Sequence, residues 1–161
     1  MALFNQLYQI KGIHADMVRK ITEVTGCRNI DVFYISIVLG LWQECSVMPD
    51  NESKIEPAKI DPEQMIRYGQ DIEYLYELVM MNDKASSVSL KERVDKAFKI
   101  RGTDKAEKDE ARFTSIMLGG LEFLYNNVVE NTTSKEDVFN NIYGLIETYL
   151  VAYPNTEATK R

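Results

Sequence analysis

Apolar positions recur at three- and four-residue spacing along almost the whole chain, and that period predicts helices. The most apolar run is NIDVFYISIVLGLWQEC, Asn29 to Cys45. It is rich in β-branched residues, but it is far longer than the ~5–6 residues of an ordinary strand and holds no turn signal that would fold it into a hairpin. Its length assigns it to a helix. Asn29 is the expected N-cap, Asp31 suits the positive end of the helix dipole, and Phe33, Ile37 and Leu41 with Val38 and Trp42 trace a broad apolar face. Because Ile30, Val32, Ile35 and Leu39 cover much of the remaining circumference, this helix is expected to be buried nearly all round, as the central element.

The flanking segments show the same period between recognisable stops. Leu3, Phe4, Leu7 and Tyr8 predict a short first helix ending near Gly12, and Met17, Val18, Ile21 and Val24 a second that stops at Gly26. After the central helix comes a polar, proline-containing loop at about residues 46–61. A helix from Asp61 to Met81 follows, with Asp61 as N-cap, Pro62 at the first helical position and Met65, Tyr68, Ile72, Leu75 and Val79 on one face. Leu90, Val94, Ala97 and Phe98 predict a helix closing at Gly102. A long one starts at Thr103 or Asp104 and carries Phe113, Met117, Leu121, Leu124 and Val128 inward. Gly119 and Gly120 lie inside it, each costing ~1 kcal/mol against Ala, so either a partner helix approaches closely there or the helix kinks, and both are favoured over a ligand contact. TTSKED opens the last helix, with Val138, Ile142, Leu145, Ile146 and Tyr149 facing inward, and Pro154 begins a polar tail. The expected architecture is all-α: six or seven helices in a single domain over residues 1–153 around a buried central helix, with 154–161 as tail.

Composition agrees with this and narrows the chemistry. The 161 residues are 45% apolar, enough for a sizeable core. The first twenty residues lack the pattern of a signal peptide, and no run reaches the ~18–20 apolar residues of a membrane span, so a cytoplasmic protein with no membrane partner is expected. Cys27 and Cys45 are too few and too far apart for a disulfide framework or a four-ligand zinc site. They are read as buried thiols of a reducing compartment.

No phosphate-binding glycine loop, HExxH, paired CxxC, calcium loop or nucleophile elbow is present. His14 is the only histidine. That removes a histidine acid–base pair, and placement at the start of the second helix suggests a surface or capping role. Asp71, Glu73 and Glu77 read as a solvated face, since a bundle carboxylate metal site needs Glu-x-x-His elements in duplicate. Tyr68, Tyr74 and Tyr76 read as core and boundary. No catalytic, metal or cofactor residues are assigned, and the chain is read as not an enzyme; carboxylate and tyrosine catalysis ranks third among the readings.

Charge is uneven, with a net value of −6. Residues 49–88 hold nine acidic and four basic side chains, while 89–112 hold eight basic (Lys91, Arg93, Lys96, Lys99, Arg101, Lys105, Lys108, Arg112) and six acidic. These eight are the candidate contacts for a partner. Because acidic residues interleave them, a salt-bridge-laced helical pair is favoured over a phosphate-binding face.

The order of an Asp-Val-Phe helix with a Leu-Gly step (Asp31, Val32, Phe33, Leu39, Gly40), a loop with Pro49, an acidic helix with Asp71, and a late helix with Gly119, Gly120 and Leu121 resembles small helical proteins associated with bacterial Dnd systems. Those are loci for DNA phosphorothioation and its linked restriction. The resemblance spans about residues 29–126, although the loop here is longer and more acidic, and it implies a defence-locus accessory protein without catalytic residues. The leading expectation is therefore a non-enzymatic adaptor that binds another protein in a prokaryotic or phage defence-related locus. A helical DNA-binding regulator using residues 91–112 is the alternative, and the oligomeric state, including a homo-oligomer, stays open.

Overall fold

The computed structural model describes residues 7–86 and 89–152. Seven α-helices and one two-stranded sheet make up these residues, so the protein is all-α with a small sheet that the periodicity did not announce. Where the first expected helix was to run on through Tyr8 to Gly12, β1 (Tyr8–Ile10) pairs antiparallel with β2 (Ala58–Ile60), setting Tyr8 opposite Ile60 and Ile10 opposite Ala58. Leu3 and Phe4 lie outside the described residues, as does the 154–161 tail. Three residues per strand are too short to show a period of two, and the alternation buries Ile10, Ala58 and Ile60.

Gly12 begins α1 (Gly12–Thr25) instead of ending a helix. Its φ of 62° and the Asp50 carboxylate packed where a Cβ would go both demand glycine. Asp50 accepts the Ile13 backbone N–H at 3.0 Å and those of Glu52 and Ser53, so one side chain caps α1 and folds the proline-containing loop onto it. Gly26 ends α1 in the left-handed conformation, as expected, with its N–H on Thr22 O.

Helix α2 (Asn29–Trp42) is capped one residue earlier than expected: Arg28 holds the N-cap position, and Asp31 accepts its backbone N–H at 2.9 Å. The helix stops at Trp42, before Cys45. The expected 61–81 helix is broken at Tyr68 into α3 (Pro62–Arg67) and α4 (Gly69–Asn82), with Pro62 leading as predicted. Next come α5 (Leu90–Asp95), which runs on as a π-helical turn over Lys96–Ile100, and a 3₁₀ turn capped by Thr103. Helix α6 (Glu107–Val128) buries Phe113, Met117, Leu121, Leu124 and Val128, all five of the expected positions. Helix α7 (Lys135–Ala152) opens with a reciprocal cap, the Ser134 hydroxyl accepting the Asp137 N–H while Asp137 accepts the Ser134 N–H.

The core is built on α2 lying flush against α6. Gly120 faces the Ser36 carbonyl and Gly40 N, Gly40 faces the Ile116 carbonyl, and a Cβ on Gly119 would stand 2.7 Å from the Cys45 backbone. Gly40 and Gly120 thus remove the side chains that would hold the two helices apart, and Gly119 makes room for the Cys45–Ser46 turn that follows α2. Of the two alternatives expected at the paired glycines, a close helix approach is present at Gly120, with Gly40 as its unforeseen counterpart on α2, while Gly119 meets the backbone of the turn after α2.

Candidate functional site

Packing α2 so tightly on α6 buries Ile30, Phe33, Ile37 and Gly40 and turns the opposite side of the helix outward. The expectation of burial nearly all round therefore fails on one face: Ile35 is 50% and Val38 41% exposed, and Tyr34, Leu41 and Trp42 are only half-buried. Trp42 is a boundary residue with its ring edge-on to Tyr149 of α7 at 5.2 Å.

Two hollows flank this face and share Val38. One, of about 360 Å3, is lined by Ile30, Tyr34, Ile35, Tyr68, Asp31 and Asp71. The other, of about 550 Å3, lies among Leu41, Trp42, Val79, Asn82, Arg112 and Tyr149. Together they form a groove along α2 about 20 Å long, given the rise of the helix. Its open end carries a carboxylate: Asp71 is exposed and enters no ion pair among the described residues. Burial and the charge of Asp71 both push the Tyr34 phenol up. Neighbouring Asp31 is neutralised by Arg28, which also donates to the Tyr68 hydroxyl at 2.9 Å.

The other end is electrostatically closed. Arg112 donates to both oxygens of Asp83 at 3.0 Å and to Ser46 at 2.8 Å, and Asp83 also accepts from Ser86. Burial raises the Asp83 carboxyl, but the Arg112 and Ser86 hydrogen bonds together outweigh it and leave it below its ordinary range.

The basic segment is mostly spent on such contacts. Lys96 pairs with Asp109 at 3.2 Å, Lys99 with Asp95 at 2.6 Å, and Arg101 with Glu77 at 2.6 Å and Glu73 at 3.5 Å. Arg93 is half-buried and engaged. Lys91, Lys105 and Lys108 are exposed and lie outside the ion pairs described. Five of the eight candidates, Arg93, Lys96, Lys99, Arg101 and Arg112, are therefore engaged within the chain, with partners that include residues of α4 and α6.

The chemistry read from the lone histidine needs correction. His14 is 1% exposed, because a helix starting at Gly12 puts it on the inward side with Ala15 and Val18. Its Nε2 lies 3.0 Å from Glu122 Oε1, and Nδ1 has no hydrogen-bond partner among the described residues. Burial, with a contribution from Glu122, raises the half-buried Cys45 thiol, the reverse of what a nucleophilic cysteine requires. Cys27 is exposed, not buried, and both thiols are free. Of the three tyrosines of the 61–81 region, Tyr76 is core, Tyr74 is 60% exposed and Tyr68 lines the groove.

No group of three or more His, Cys, Asp and Glu among the described residues is placed to hold a metal ion. No single helix among them is long and apolar enough to cross a membrane; α1 and α2 qualify only as a pair bent by 110°. Comparison with known proteins returns no matching family model, curated protein or solved structure.

Proposed function

We propose that the protein is a non-enzymatic adaptor that binds a partner protein through the groove along α2. The observation that carries this reading is an apolar helix face, Ile35 and Val38 with Tyr34 and Trp42, that the described residues leave open between two hollows. A groove of this length suits an amphipathic helix that inserts apolar anchors at i, i+3/i+4 and i+7. The unpaired Asp71 favours a Lys or Arg at one end of that helix.

The resemblance to Dnd-associated proteins supports a place beside a prokaryotic or phage defence locus. Gly40 and Gly120, two of the residues that carry it, are buried in the α2–α6 contact, so what they support first is a shared fold. The DNA-binding reading rests on Lys91, Lys105 and Lys108, the three candidates outside the ion pairs described, and three lysines on an acidic protein give little phosphate neutralisation.

Trp42 is the chain's only tryptophan and lies at the groove, so its emission reports occupancy directly. Titration with amphipathic helical peptides of about 15 residues bearing Lys/Arg flanks should shift that emission to the blue, with affinity weakening as salt rises. Val38→Asp should lower affinity at least about tenfold and Asp71→Lys several-fold. Unchanged emission across such a panel, together with tight duplex-DNA binding lost in a Lys91/Lys105/Lys108→Glu variant, would replace the adaptor reading with the DNA-binding one.

A further inference from the structure

Helix α7 carries a second apolar stripe that the fold does not use. Val138, Ile142 and Leu145 face the body of the protein, as expected, but Ile146 does not. With Phe139, Tyr143 and Leu150 it forms a line at spacings of four, three and four residues. These side chains are 65% (Phe139), 63% (Tyr143), 51% (Ile146) and 58% (Leu150) exposed. A 4-3-4 line is the seam of a two-helix coiled coil, in which each residue fits between side chains of a facing helix. We infer that α7 is a self-association surface and that its occupant is the α7 of a second copy, packed antiparallel about a two-fold axis.

Three features select that occupant. The line is self-complementary: an axis passing midway between Tyr143 and Ile146 sets Phe139 of each copy against Leu150 of the other, and Tyr143 against Ile146, so large aromatic and aliphatic side chains alternate at every layer. Charge selects the orientation. Glu136 continues the seam one turn before Phe139, and a parallel pair would bring the two Glu136 carboxylates together, whereas the antiparallel pair leaves them about 25 Å apart along the axis. At the flank, the antiparallel pair sets Asn140 near Glu147 of the other copy, with no like charges opposed.

The third feature is area. A large aromatic side chain buries roughly 150–250 Å2, so the stripe and its flanking stems remove about 1,000–1,200 Å2 in total from the two copies, the lower end of the range for specific interfaces. The dimer is therefore weak and concentration-dependent. Its four seam residues line neither hollow beside α2, and it stands independently of the adaptor reading.

Sedimentation equilibrium of the full chain from about 1 to 300 μM decides the matter, because a weak interface of this size is populated only toward the upper end. The expected mass rises from that of the 18.5 kDa chain toward twice that value. Ile146→Glu and Tyr143→Glu, both at exposed positions, should stay monomeric throughout with an unchanged melting temperature, while Val38→Asp in the groove should dimerise like the wild type. A wild type that remains monomeric at every concentration overturns the inference. So does dimerisation that survives both glutamate substitutions, which would put the interface elsewhere. Loss of folding in Ile146→Glu alongside a monomeric wild type would show that another segment of the chain covers the stripe.

Discussion

Replacing Gly120 with alanine tests whether the α2–α6 contact fixes the geometry of the groove. In an open helix the change would stabilise by ~1 kcal/mol, because alanine restricts the unfolded chain and favours the helix. Here the added Cβ points at the Ser36 carbonyl and the Gly40 amide nitrogen, backbone atoms of α2 that cannot rotate away as a side chain could. Relief requires the two helices to separate along their contact, which loosens Ile116, Met117 and Phe33 as well. Overpacking typically costs about 1–3 kcal/mol, and a clash with backbone belongs at or above the top of that range, so the net loss should be about 2 kcal/mol or more. For a chain of this size that lowers the melting temperature by about 4–8 °C, and a urea midpoint shift without a change of slope would confirm a loss of stability in the native state. Gly144 in α7 has nothing within 4 Å of the corresponding position, so Gly144→Ala serves as the internal control and should stabilise by up to ~1 kcal/mol. A Gly120→Ala variant as stable as Gly144→Ala would refute the close contact, and with it the argument that α2 is held with its apolar face outward.

Two further substitutions probe buried polar groups. Tyr76 is fully buried beside Phe113, and its hydroxyl has no hydrogen-bond partner among the described residues, so Tyr76→Phe should leave stability unchanged or raise it by up to ~1 kcal/mol; a clear loss in thermal denaturation would mean that the hydroxyl is bonded. Asp83, pushed up by its burial but pulled further down by Arg112 and Ser86, has a folded-state pKa below its ordinary value of 3.8. Its contribution is therefore fully present above about pH 4–5 and is lost as pH falls through the lower folded value. Melting temperature should be flat from pH 7 to 5 and fall below about 4, with a shallower fall in Asp83→Asn; an identical acid limb in that variant would remove Asp83 from the account.

The helices that the sequence announced are those whose punctuation is local. Gly26, Pro62, the Thr103 turn and the Ser134–Asp137 cap each act on the residues beside them, so their effect can be read from neighbours along the chain. The misread features depend on distant partners. Gly12 looked like a stop, and it is a start because Asp50, far along the chain, occupies the space its side chain would need. His14 looked exposed until that start placed it toward Glu122. The basic residues looked like one patch because they are adjacent in sequence, whereas several of them are paired with acidic residues of α4, α5 and α6, which only the fold brings beside them.

The same contrast explains why α2 carries the functional reading. A helix apolar on every side normally signals complete burial, and the sequence of α2 satisfies that pattern. Complete burial would need neighbours on all sides, yet α6 presses against one side through glycines while α1 and α4 approach at the edges, and nothing described covers Ile35 and Val38. Leaving two large aliphatic side chains beside a half-buried tryptophan in contact with water forgoes about 25 cal/mol for each Å2 of apolar surface and invites aggregation. Positions 35 and 38 are the most open to water of any in α2, so polar residues there would have given up the least burial. An apolar face that the fold does not require is most economically explained by a partner that does require it, and the Trp42 emission titration asks for that partner's chemistry at the place where the excess lies.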